Sequence, residues 1–258
     1  MSKAETWRQP EAQAFSPVAK TLAGRMAVVT GASSGIGRAI AERLATLGAS
    51  LCLLGRRPEA LQQIAPCLGD GARKLIYQID LAAGGAIESL PDRLAREGVE
   101  TDFLVHSAGV ISLGALEHAS IGAFDRQIDI NVRAPYRLTQ ALLPQLKSRR
   151  GQVVFINSRA GVSAVPGSSQ YSATKHALRA LADSLRAEVY GKVRVTSVFT
   201  GNTATPMQAW LHAAKQRAYA PENLIQPEDI ASVVCHVLSL PATVELTEIH
   251  MRPAMPPD

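Results

Sequence analysis

Tyr171-Ser-Ala-Thr-Lys175 places a phenol and an ammonium four residues apart. On a helix, positions i and i+4 share a face, so the two groups can converge on one point. A tyrosine ordinarily titrates near about 10 and is a poor acid or base at neutral pH. A neighbouring cation favours the phenolate. The pair therefore predicts a Tyr171 whose pKa is lowered by Lys175, able to donate or accept a proton near neutral pH. Ser158 lies thirteen residues before Tyr171, at the end of the apolar run Gln152–Asn157. From there its hydroxyl can hydrogen-bond a carbonyl oxygen. Each residue alone also fits a plain structural part: a Tyr and Lys that merely neighbour each other on a surface, or a serine that forms a turn or caps a helix.

A second group of residues can hold an anion. The apolar run Met26–Val29 meets Thr30-Gly-Ala-Ser-Ser-Gly-Ile-Gly37, and Ile36, Ile40, Leu44 and Leu47 then recur at helical spacing. This reads as strand, tight turn, helix. Such a turn aims backbone N–H groups and the positive end of a helix at an anion, usually a phosphate. Gly31, Gly35 and Gly37 divide three tasks: the sharp turn, close approach of a ligand to the backbone, and close packing of helix on strand. The spacing is GxxxGxG, not the commoner GxGxxG, and taken alone it is also compatible with an ordinary tight loop.

The elements that must position these residues alternate along the chain. After the first strand and helix, Ser50–Leu54 reads as a strand, residues 59–68 as a helix, Lys74–Ile79 as a strand closed by Asp80, and residues 86–97 as a helix. Asp102–Val105 with His106 forms a fourth strand that enters Ser107-Ala108-Gly109. Residues 121–147 read as one long helix with Phe124, Ile128, Val132, Tyr136, Leu138 and Leu142 inward, and Pro135 inside it kinks or splits it. Strands at 152–157, 193–199 and 245–251, with helices at 170–190, 205–218 and from 226 to 240, complete the order. Short apolar strands joined by helices indicate a parallel sheet covered on both faces. Ligands bind beyond the carboxyl ends of such strands. Gly31, Gly55, Asp80, Ser107, Ser158 and Thr200 occupy those ends and are expected to face one crevice. Residues 1–22 read as a flexible arm, residues 23–252 as one domain, and residues 253–258 as a Pro-rich tail.

Composition removes several other classes. The chain has 258 residues, 47% of them hydrophobic and 19% charged, which describes an ordinary globular protein with room for a sizeable core. Its net charge of +5 is spread over scattered cations with no basic stripe interleaved with aromatics, so nucleic-acid binding is not expected. Cys52, Cys67 and Cys235 are far apart and lack metal-ligand spacing. They read as free thiols in a reducing compartment, and no metal is expected. No 18-residue apolar run or secretory leader is seen, so no membrane association is expected and a cytoplasmic location is the default.

Taken together, Thr30-Gly-Ala-Ser-Ser-Gly-Ile-Gly37, Asp80, Ala108-Gly109, Asn131, Ser158 and Tyr171-x-x-x-Lys175 resemble, in order and spacing, the classical branch of the short-chain dehydrogenase/reductase family, over residues 24–251. The resemblance implies a Rossmann-type, doubly wound α/β domain of about seven parallel strands, with helices on both faces and a nicotinamide cofactor at the strand ends. It implies hydride transfer between a carbonyl and an alcohol. Tyr171 would be the general acid for reduction and the base for oxidation. Lys175 would lower its pKa and hydrogen-bond the nicotinamide ribose. Ser158 would hold the substrate oxygen, and Asn131 would anchor a water in the proton relay. Gly31, Ser33, Ser34, Gly35, Ile36 and Gly37 would surround the diphosphate. Asp80 and Leu81 would reach the adenine, and Ser107, Ala108, Gly109, Gly201 and Thr203 would line the rest of the cofactor, with Thr205 a further candidate.

Cofactor choice turns on the residues after the second strand. A carboxylate there accepts the ribose 2′-OH of NAD. This chain has Gly55-Arg56-Arg57 instead. A guanidinium pairs with a 2′-phosphate through charge-assisted bonds, so NADP(H) is expected in preference to NAD(H), with Arg56 the main contact and Ser33 and Arg57 secondary ones. Two departures from the family pattern stand out. His106-Ser107 replaces a usual Asn-Asn before Ala108-Gly109, and Thr200-Gly201 replaces a usual Pro-Gly. His106 is expected to be a packed structural residue.

Substrate selectivity is expected from residues 110–116, 160–169 and 203–219. Their Ile111, Leu113, Val162, Val165, Met207, Trp210 and Leu211 favour a mostly apolar, neutral carbonyl or alcohol. Residues 203–219 read as a lid. The long helices at 121–147 and 170–190 pair between subunits in the family, which implies a homodimer or homotetramer. Two other readings stay open: a non-catalytic NADP-binding regulatory protein on the same fold, and an epimerase or dehydratase.

Overall fold

The apolar run that opens the domain becomes β1 (Met26–Thr30), buried at every residue. It pairs in parallel with β2 (Ser50–Gly55) on one side and β4 (Phe103–His106) on the other. Seven parallel strands follow the order β3-β2-β1-β4-β5-β6-β7, with β3 at Lys74–Gln78, β5 at Gln152–Ser158, β6 at Arg194–Thr200 and β7 at Glu248–Met251. This is the expected doubly wound Rossmann-type sheet. The computed structural model describes residues 21–68, 73–83 and 85–254, without the side chain of Cys67.

Successive residues on a strand face opposite ways, so the sheet builds two cores. Ala27, Val29, Leu51 and Leu53 pack on one face against α1 (Gly35–Thr46) and α8 (Pro227–Ser239). Val28, Cys52, Leu104 and Phe155 pack on the other against α5 (Ala134–Ser148) and α6 (Ser169–Glu188). Two short helices, α2 (Pro58–Gln62) and α3 (Leu90–Arg96), and α7 (Pro206–Ala214) complete the set with α4 (Ile121–Ile128). The strand order reverses between β1 and β4, and the crevice there is the topological switch point at which such sheets bind ligands.

Several expected boundaries shift. The helices expected over 59–68 and 86–97 shorten to α2 and α3, and the strand expected over 245–251 shortens to β7. The long element at 121–147 is not one α-helix. A π-helical turn, Asp129–Arg133, separates α4 from α5, and Pro135, which has no N–H to donate, sits in the first turn of α5 directly after it. The extra residue in that turn rotates everything after it. Tyr136, expected inward, is 56% exposed, while Ala134, Leu138 and Leu142 are buried. The expected arm over 1–22 lies outside the described residues except for its last two. Of these, Leu22 is buried in the core and its N–H bonds the Leu47 carbonyl. The expected tail over 253–258 lies outside from residue 255 onward. No helix among the described residues is long and apolar enough to cross a membrane.

Candidate active site

The site begins where β1 and β4 end side by side. Gly31 follows β1 with φ +68°, a conformation that L side chains rarely adopt, and a Cβ there would lie 2.8 Å from Ala108 Cα. Thr30 ties the two strand ends together. Its hydroxyl accepts the N–H groups of Ser107 and Ala108, each at 3.0 Å. A Cβ on Gly37 would collide with the Gly31 carbonyl, so glycine lets the first turn of α1 close onto the loop. These contacts leave a cleft of about 290 Å³. Its walls include Gly31, Ser33, Ser34, Gly35, Ile36, Gly37, Arg56, Arg57, Asp80, Leu81, Ser107, Ala108 and Gly109, all thirteen from separate stretches named by the sequence.

The N-terminus of α1 opens into this cleft with no acidic residue in its first turn, which suits a bound anion. Arg56 and Arg57, just after β2, are exposed on the cleft wall, and Gln78 Nε2 donates to the Arg56 carbonyl at 3.2 Å. Asp80 accepts the Ala82 N–H at 3.0 Å, so it forms its own turn while facing the cleft. The cradle of glycines, the helix end and the two guanidiniums together fit a dinucleotide carrying a phosphate at each place where positive charge is offered.

Gly201, Thr203, Tyr171 and Lys175, also expected at the cofactor, are not among these walls. Gly201 packs on the C-terminal segment, where a Cβ would lie 3.0 Å from Pro253 Cδ. Thr203 is buried, bridges to Ile225, and donates its hydroxyl to the Gly201 carbonyl. Thr205, Pro206 and Met207 take the wall instead. Thr205 caps α7 by accepting the Gln208 N–H, and its methyl approaches Gly35 so closely that a Cβ there would be 3.1 Å away. Leu54, Ile79, Val110 and Ile130 also line the cleft and carried no signal beyond being apolar.

The Ser, Tyr and Lys of the sequence motif do meet. β5 ends at Ser158, whose hydroxyl accepts the Ala160 N–H and faces the Tyr171 phenol, where it favours the phenolate. Lys175 is buried, and its Nζ donates to the Ile156 carbonyl at 3.1 Å. A Cβ on Gly109 would lie 3.9 Å from that Nζ, which places the ammonium beside one wall of the cleft.

The electrostatics differ from the simple expectation. Burial, opposed by Ser158, pushes the Tyr171 phenol up to about 12, and burial pushes Lys175 down to about 8. Lys175 lies 5.8 Å from the Tyr171 ring centre and is engaged with a backbone carbonyl, so desolvation outweighs the expected lowering. Asn131 sits in the π-helical turn. Its Oδ1 accepts the Val110 N–H at 2.9 Å, and its Nδ2 donates to the Val110 carbonyl at 2.9 Å and the Thr174 hydroxyl at 3.1 Å. Both amide N–H groups thus have protein partners, which fix the orientation of the Asn131 side chain.

Asn157 was missed by the sequence reading. Its Oδ1 accepts the Ser158 N–H at 2.7 Å and its Nδ2 donates to the Lys175 carbonyl at 3.2 Å, linking β5 to α6. His106 is buried, bonds Thr139 at 2.9 Å, stacks on Phe155 and is held neutral, pushed down to about 3 by burial. Cys52 and Cys235 are buried free thiols, pushed up to about 12 by burial.

Known proteins share this arrangement. A short-chain type dehydrogenase/reductase of Sinorhizobium fredii is 34% identical over 234 residues, covering 88% of this chain and 91% of that protein. Glycine betaine reductase of Emericella nidulans is 34% identical over 247 residues, covering 93% of this chain, which spans only 19% of that much longer protein. Alcohol dehydrogenase of the archaeon Thermococcus sibiricus, solved in complex with 5-hydroxy-NADP, superposes with a TM-score of 0.82 at 28% identity, covering 91% of this chain and 98% of that one. The family model for short chain dehydrogenase matches residues 25–216. A doubly wound sheet with these relatives over nearly its whole length makes the chain a member of the short chain dehydrogenase family of oxidoreductases.

Proposed function

We propose that the protein is an NADP(H)-dependent oxidoreductase acting between the carbonyl and alcohol forms of a mostly apolar small molecule, with Tyr171 as general acid and base. The observation that carries this reading is the convergence of Ser158, Tyr171 and Lys175 beside Gly109, a wall residue of the cleft that Arg56 and Arg57 also line. The cofactor, when bound, would supply a hydride to the substrate carbon or receive one from it. The Ser158 hydroxyl would hold the substrate oxygen. Tyr171, protonated at neutral pH, would donate its proton to that oxygen as negative charge develops on it. Lys175, charged at neutral pH, would stabilise the phenolate that remains. Arg56 and Arg57 would pair with the 2′-phosphate that distinguishes NADP from NAD.

The 5-hydroxy-NADP in the complexed archaeal dehydrogenase supports the cofactor choice. Ile121 and Tyr136, exposed at 72% and 56% on α4 and α5, support association of copies of the chain through these helices, as a homodimer or homotetramer. The test is oxidation of NADPH and NADH across a panel of ketones, aldehydes and quinones. Tyr171→Phe is expected to lower kcat by about 10²–10⁴-fold, and Arg56→Ala to raise the KM for NADPH about tenfold or more with little change for NADH. Equal changes for the two cofactors would refute the arginine assignment. Cofactor binding without turnover of any substrate would favour the regulatory reading.

A further inference from the structure

Between α4, α6 and the loop after β4, the polar side chains form two parallel rungs. In the first, Asn131 brackets the backbone of Val110 and donates to Thr174. In the second, Gln127 Oε1 accepts the Ser112 N–H at 3.1 Å, Gln127 Nε2 donates to Gln170 Oε1 at 3.2 Å, and Gln170 Nε2 donates to the Ser120 carbonyl at 2.9 Å. Residues 127 and 131 are four apart on the α4 side, and residues 170 and 174 are four apart on α6. Four helical residues rise about 6 Å. Residues 110 and 112 are two apart, and two extended residues span about 6.6 Å. The three repeats match, so one loop segment can be held by both rungs at once. Tyr171 and Lys175 each follow a rung residue by one position.

The direction of the second rung is fixed from its ends. Ser112 offers only a backbone N–H there and Ser120 only a carbonyl. Both amides must therefore orient oxygen toward Ser112 and nitrogen toward Ser120. Gln127 is 1% exposed, so a lost partner is not replaced by bulk water. The same loop is joined to the segment before α6 by the Gly114 N–H on the Gly167 carbonyl at 2.9 Å.

We infer that Gln127, through Gln170, is a positioning residue that fixes the loop from Val110 to Ser120 against the helix carrying Tyr171, and so sets the shape of the substrate side of the site. The catalytic part of this inference rests on the function proposed above; the structural part does not. Ile111 and Leu113, which flank the bonded Ser112, then present their side chains from a fixed backbone. A loosened rung admits substrate less accurately without altering the proton donor.

The test uses the full chain. Gln127→Leu removes both contacts of the amide, and Gln170→Leu cuts the same rung from the less buried end, which keeps the test available where the first variant fails to fold. Amide hydrogen exchange reads the loop directly. Exchange at Ser112 is expected to be at least about tenfold faster in either variant, with Val110, on the intact rung, within about twofold of wild type. With NADPH and acetophenone, KM is expected to rise at least about threefold, with kcat within about twofold and the pH profile of kcat unmoved. Unchanged exchange at Ser112, equal acceleration at Val110, or a freed Ser112 with unchanged KM would each overturn the inference. A wild-type protein that reduces no ketone removes the proposed function, and the exchange rates then decide the rung by themselves.

Discussion

Replacing Lys175 by methionine should stabilise the cofactor-free protein while removing its activity. Burial holds the lysine at about 8, against 10.5 for the free side chain. The difference, 10.5 − 8, is about 2.5 pH units. At about 1.4 kcal/mol per pH unit, keeping the ammonium charged in the fold at neutral pH costs about 3 kcal/mol. Methionine fills a similar volume without charge. It loses the bond from the charged Nζ to the Ile156 carbonyl, which offsets about 1.5–3 kcal/mol. The net gain is about 1 kcal/mol, equivalent to a rise in Tm of about 2–4 °C for a chain of this size.

The pH dependence gives the sharper check. A lysine depressed in the folded state binds its proton more tightly when unfolded, so wild-type stability rises with pH between about 8 and 10.5. The methionine variant lacks this component. Its advantage is therefore full below pH 8 and gone near 10.5. Thermal unfolding of both proteins at pH 7 and pH 10, with NADPH-linked turnover at pH 7, measures all three quantities. A variant less stable than wild type at pH 7, or a Tm difference that does not change with pH, would refute the argument that desolvation governs this lysine.

Two further outcomes follow from the supports behind the cleft. Thr30→Val removes the hydroxyl that accepts the Ser107 and Ala108 N–H groups, and should destabilise by about 2–3 kcal/mol because both donors lose their partner. Thr30→Ser keeps the acceptor and should lose about 1 kcal/mol or less; equal losses in chemical denaturation would show that the methyl, not the hydroxyl, matters. His106, held neutral at about 3 against 6.5 when free, contributes stability that is present above pH 6.5 and lost as pH falls. Between pH 6.5 and 5 the loss is about 2 kcal/mol, and His106→Asn should remove that part of the slope in urea titrations.

The pieces of the candidate site were legible in the sequence because they depend on local spacing. A glycine-rich turn after an apolar run becomes β1, loop and α1 through backbone sterics alone, and the four-residue step from Tyr171 to Lys175 follows from helical geometry. The alternation of short apolar strands with helices likewise specifies a parallel sheet, since only helices on both faces can bury such strands. The arginines after β2 are visible as charges in the sequence, and the sheet brings them to the same cleft as the glycine loop.

What the tertiary structure decided is what lies between those pieces. The π-helical turn at residues 129–133 breaks the 3.6-residue period, so Tyr136 turns outward against its hydrophobic pattern. Thr205 replaces Thr203 and Gly201 at the cleft because α7 folds back over Gly35, a contact no local pattern encodes. Burial of Tyr171 and Lys175 reverses the expected sign of the tyrosine's shift, because desolvation depends on what the rest of the chain packs around them. The four-residue step identified the pair; the fold set its protonation, by removing water from both groups while holding the ammonium on the Ile156 carbonyl.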